Sequence, residues 1–116
     1  FNAAFFLHEQ KIIAEIHKTL LPTYDVFDEV RYFEANIKFE LIDFKGKKLA
    51  LTLCEDLWNT GNNPLYTVTP AEELANLNPD FYINISASPF DYNHDAQRKT
   101  VLKEVATKFN KPIFYI

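Results

Sequence analysis

The chain has 116 residues, 47% hydrophobic and 24% charged, and carries a formal net charge of −4 at pH 7. That length supports one domain with a core of its own and argues against two. The acidic balance, with neither a basic patch nor an arginine-rich run, speaks against nucleic-acid or anionic-membrane partners.

No apolar run approaches the roughly 20 residues that cross a bilayer. The one cysteine, Cys54, cannot build an internal disulfide framework and fits a reducing, cytoplasmic setting. The chain opens within an apolar run, Phe1 to Leu7, and stops within another, Pro112 to Ile116. Buried strands seldom end a natural protein bare, so an internal piece of a larger protein is expected.

Residues 1–7 read as a buried strand and His8-Glu9-Gln10 as a tight turn. Residues 11–18 alternate, with Ile12, Ala14, Ile16 and Lys18 on one face and Lys11, Ile13, Glu15 and His17 on the other. The first face is the more apolar, so Lys18 is expected to point inward, an unusual place for a lysine. Residues 19–36 lack a period but are dense in aromatics; Pro22 argues against a helix, which predicts a packed, ordered loop. Residues 37–44 alternate as a strand, Lys45-Gly46-Lys47 turns, and residues 48–54 return as a strand that is apolar or small on both faces.

A loop rich in turn residues follows Trp58. Thr69 as N-cap and Pro70 at the first helical position begin a short helix that ends near Asn78-Pro79. Residues 80–87 read as a strand. A helix from about Asp95 to Phe109 carries an apolar stripe of Leu102, Val105, Ala106 and Phe109, and a last strand follows Pro112. Strands alternating with helices predict an α/β fold with helices over a sheet.

Metal binding is unsupported, since His8, His17, His94 and Cys54 have no ligand spacing. With Gly46 and Gly61 the only glycines, no glycine-rich phosphate cradle is possible. Cys54 is either a small buried hydrophobe or a nucleophile at the open end of a rigid strand. Glu55 and Asp56 beside it disfavour a thiolate. An inward Lys18 would offset those acids, unless it merely snorkels. A cysteine–histidine pair with His94 is the rival arrangement. Ser86 and Ser88, before Pro89, fit turn chemistry equally well, and the aromatics around Tyr24 and Phe27 fit core packing.

The stretch LTLCEDLW, with KTLLPTYDVFDEVRYFE before it and INISASPFDYN after it, resembles the glutaminase domain of glutamine-dependent NAD synthetases. That domain belongs to the nitrilase, or carbon–nitrogen hydrolase, superfamily, and the resemblance runs from about Asn2 to Ile116. It implies that the chain is part of a four-layer αββα sandwich. It also implies a Glu-Lys-Cys triad, with Cys54 attacking the glutamine carboxamide and Lys18 stabilising the oxyanion. The family's glutamine contacts fall on Tyr24, Ser88 and His94, and Glu55 matches a residue that holds the substrate amino group.

Position 94 departs from the lysine or arginine usual in the family. The triad glutamate of the family lies before the position of Phe1, and Glu29 matches a second acid near the lysine, a possible auxiliary. The family's synthetase domain, which uses ATP and magnesium, lies beyond this stretch, so the chain alone is expected to be inactive, with no cofactor of its own. L-glutamine as substrate, ammonia passed to a synthetase domain, and a homo-oligomeric parent in the cytoplasm are what the resemblance implies. The alternatives are a stand-alone nitrilase-type amidase and a degenerate scaffold domain. A glutamine-mimicking electrophile that labels Cys54 would exclude the scaffold.

Overall fold

In a computed structural model, residues 1–60, 65–87 and 94–116 are described, with the backbone alone for His94. Strands β1 (Ala3–His8) and β2 (Lys11–His17) form an antiparallel hairpin. Glu9 and Gln10 fill its turn at φ 48° and 63°. Both are left-handed, as the favoured two-residue hairpin turn demands, although neither is the glycine or asparagine that usually eases it.

The hairpin contains a bulge, because Phe6 faces Ala14 whereas Leu7 faces Ile12. Ile13 is thus an extra residue, and the alternation changes phase there. Ala14 and Ile16 keep the inward face, but Ile12, expected beside them, is 62% exposed. The first strand is also not buried on both faces: Ala4 and Phe6 pack inward, while Phe5 and Leu7 face out.

A second sheet has the order β3-β4-β5-β6, from Ile42–Phe44, Lys47–Leu53, Phe81–Ile85 and Ile113–Tyr115. β3 runs antiparallel to β4, and β4–β5 and β5–β6 are parallel. Lys45 and Gly46, at φ 50° and 75°, make the β3–β4 turn. The expected strand over 37–44 shrinks to its last three residues, and Ile37 is 93% exposed. Asn36 is the reason: its side chain bonds the Lys38 carbonyl and N–H, and its own N–H bonds the Lys18 carbonyl. These bonds offer the backbone a turn in place of a ladder. In the loop over 19–36, Leu20, Leu21 and Pro22 are buried, but Val26 and Tyr32 are exposed rather than packed.

β4 is buried on both faces, as its composition predicts. Leu49, Leu51 and Leu53 meet the hairpin through Ala4, Phe6, Ala14 and Ile16. Ala50 and the neighbouring Tyr82 of β5 meet α1 (Pro70–Asn76) and α2 (His94–Phe109) through Ala71, Leu74 and Val105. The result is helices on a sheet on a hairpin, an α/β stack in which β4 is the centre. Thr69 stands at the N-cap as expected, yet its hydroxyl accepts from Asn59 and its carbonyl takes the Glu72 and Glu73 N–H groups.

Candidate active site

β4 stops at Leu53, and Cys54 opens a single 3-10 turn over Cys54–Leu57. Cys54 sits at φ 43°, a left-handed conformation that costs a residue with a β-carbon about 1–2 kcal/mol. Such strain at a strand-to-helix corner is the geometry that lifts a nucleophile off a sheet edge. The corner lies at the carboxyl end of a strand in a partly parallel sheet, where open α/β sheets bind ligands. From below, buried Asn84 of β5 donates to the Cys54 carbonyl at 3.3 Å and to Thr52 Oγ1 at 3.0 Å.

Lys18 follows β2 and is 2% exposed, so its inward orientation is as the alternation predicts. Its Nζ donates to Glu29 Oε1 at 2.6 Å, and Asn2 Nδ2 donates to Glu29 Oε2 at 3.3 Å. The Lys18 charge is thus met by Glu29 and not, as expected, spent on the acids beside the thiol; on Asp56 its pull is the weakest of the influences. Cys54, Lys18, Glu29, Phe27 and Ser86 line one cavity of about 370 Å³, whose remaining wall comes mainly from β1 and the ends of β4 and β5.

Glu55 lies in a hydrogen-bonded cluster beside that cavity, since its partner Tyr24 packs edge-on against Phe27 of the cavity wall. Buried, it accepts hydrogen bonds from the Tyr24 hydroxyl at 2.7 Å and the Tyr66 hydroxyl at 3.4 Å. Burial, and then the bond to Glu55, raises the Tyr24 hydroxyl well above its ordinary pKa; burial and the Glu55 charge push Tyr66 up to about 12. Asp56 is buried too. Its Oδ1 accepts from the N–H of Thr19 at 3.0 Å and of Leu20 at 2.8 Å, and its Oδ2 from the N–H of Leu53 at 3.1 Å. Burial pushes its carboxyl up to about 6 against the downward pull of those donors.

Of the residues singled out from sequence, Cys54, Lys18 and Glu29 share the cavity, and Tyr24 and Glu55 share a hydrogen bond. Ser88 and the His94 side chain lie outside the described residues. Tyr66, Asn84 and Asp56 have no role assigned from sequence. Asn84 carries a signal nonetheless, as a polar residue in the same alternating row as the buried Tyr82. Nothing local marks Tyr66, which reaches Glu55 from beyond a turn-rich loop.

No protein-family model matches the chain. Over 99% of its length it is 37% identical to the glutamine-dependent NAD(+) synthetase of Synechocystis sp., of which it covers 21%. It is 30% identical to that of Thermotoga maritima, covering 19%. Among solved structures it superposes on the glutamine-dependent NAD+ synthetase of Acinetobacter baumannii with a TM-score of 0.84 at 27% identity, over 97% of this chain and 20% of that one. It superposes on a carbon–nitrogen hydrolase of Helicobacter pylori with a TM-score of 0.70 at 26% identity, over 92% of this chain and 36% of that one. The chain thus spans about a fifth of the curated relatives it matches. It is homologous along nearly its whole length to one segment of the glutamine-dependent NAD(+) synthetases, and it shares its fold with a carbon–nitrogen hydrolase.

Proposed function

We propose that this chain is the central part of a glutaminase unit that supplies ammonia to an ATP-dependent synthetase domain. The ion pair of buried Lys18 with Glu29, opening onto the same cavity as Cys54, carries the reading. The Cys54 sulfur bonds to the carboxamide carbon of glutamine, and the carbonyl oxygen becomes an oxyanion that the Lys18 ammonium stabilises. The carbon–nitrogen bond breaks as the nitrogen takes a proton and leaves as ammonia. Water then cleaves the thioester to glutamate and restores the thiol. Glu29, already bonded to Lys18 and Asn2, serves as the counter-ion that orients the lysine; the carboxylate that accepts the thiol proton comes from outside these residues.

Glu55, held by Tyr24 and Tyr66, is the charge partner for the substrate's ammonium, with Ser88 and His94 as further glutamine contacts. The ammonia is consumed where a synthetase domain, using ATP and magnesium, amidates nicotinic acid adenine dinucleotide. The likeness to a carbon–nitrogen hydrolase favours one rival, a stand-alone amidase on the same triad. In the full-length polypeptide that carries this chain, Cys54→Ala is expected to abolish glutamine-dependent NAD formation and to spare ammonia-dependent NAD formation. Survival of both activities, or loss of both with the fold intact, overturns the proposal.

A further inference from the structure

Asp56 forms more bonds than its local turn requires. An acid at the third position of a helical turn commonly accepts from the backbone at the turn's start, and Asp56 Oδ2 does so with the Leu53 N–H. Its other oxygen leaves the turn. Oδ1 takes the N–H groups of Thr19 and Leu20, 37 and 36 residues away, and both bonds lie immediately after Lys18. Leu53 lies immediately before Cys54. One buried carboxylate therefore grips the residue on the near side of the thiol and the residues on the far side of the lysine.

The two grips lie at the ends of strands from different sheets. Leu53 ends β4 of the four-stranded sheet, and Thr19 continues the chain out of β2 of the hairpin. We infer that Asp56 is a positioning residue that sets the separation of Cys54 from Lys18 by joining the ends of the strands that carry them. This rests on the roles proposed above for those two residues. A carboxylate suits the task because it has acceptor sites on both oxygens and no donor, and three backbone donors converge on it. An asparagine of the same shape would turn an NH2 toward one set of N–H groups and leave a buried donor unpaired.

The test uses the full-length polypeptide that carries this chain, as wild type and as Asp56→Asn. Glutamine-dependent kcat and KM, the ammonia-dependent rate and the thermal midpoint are measured on each. Misplacement of a catalytic group by about 1 Å costs on the order of 100-fold. Asp56→Asn is expected to lower the glutamine kcat by about 10- to 100-fold, with the glutamine KM and the ammonia-dependent rate held. An unchanged glutamine kcat overturns the inference, as does a parallel fall of both rates with the thermal midpoint, which a merely structural residue would give.

If Asp56→Asn does not fold, Asp56→Ser, which keeps one oxygen acceptor in less volume, is put through the same assays, where the same outcomes support or overturn the inference. A wild-type enzyme without glutamine-dependent activity overturns the proposed function and this inference with it. An active wild type with an equally active Asp56→Asn overturns this inference alone.

Discussion

Glu29→Gln removes a charge from the Lys18 pair while leaving an oxygen within reach of Nζ, so it isolates the ionic part of a 2.6 Å contact. The side chains are 2% and 16% exposed, Lys18 and Glu29 respectively. Removing one partner of a buried pair costs about 3–5 kcal/mol, because the other charge is stranded in low dielectric. The residual exposure of Glu29 places this case near the lower end, about 3 kcal/mol.

The assay is a double-mutant cycle by denaturant unfolding of the full-length polypeptide, with Lys18→Met as the second arm. Lys18→Met/Glu29→Gln leaves no charge stranded, so much of the loss seen in Glu29→Gln is expected to return. The coupling energy should reach about 2 kcal/mol. A coupling below about 0.5 kcal/mol, the value of a solvated surface pair, would refute the view that Lys18 is held by a desolvated counter-ion.

The left-handed backbone at Cys54 predicts that Cys54→Gly is more stable than Cys54→Ala by about 1 kcal/mol, read from their denaturation midpoints, although glycine normally loses to alanine. The opposite order would show that the corner is unstrained. Tyr82→Phe should cost about 1 kcal/mol, since the fully buried hydroxyl donates to the Ala71 carbonyl at 3.0 Å. A neutral result would mean that this hydrogen bond adds nothing net to stability.

Local pattern carried the architecture well where one rule acted alone. The double-sided burial of β4 followed from Leu49, Ala50, Leu51, Thr52 and Leu53, and the inward Lys18 followed from alternation along β2. It failed where two rules competed. The bulge between Phe6 and Leu7 reversed the expected position of Ile12, and no residue type announces a bulge of that kind. The alternation of residues 37–44 was genuine, but the Asn36 side chain captured the backbone first.

The site divided in the same way. Cys54 and Lys18 were found by the oddity of their own surroundings. The partner of Lys18 was legible only through the family resemblance, which set Glu29 near the lysine, because ion pairing across a loop depends on how that loop closes: Glu29 N–H bonds the Pro22 carbonyl, and the acid meets the lysine. Asp56, read from sequence only as an acid that disfavours a thiolate, had no structural role there for a related reason. Its partners are backbone N–H groups, which every residue but proline carries, so no side chain 36 positions away could have marked them.

The seam between hairpin and sheet has a bearing on the chemistry. Two stacked sheets stand about 10 Å apart, a distance fixed by the side chains that interdigitate between them. Here that filling combines small residues, Ala4 and Ala14, with large ones such as Phe6, Phe44 and Leu51. Since the lysine directly follows a strand of the hairpin and the thiol directly follows β4, the bulk of these core residues gauges the gap across the cavity. A larger side chain at Ala4 would act as a shim, parting two groups on opposite sides of the seam.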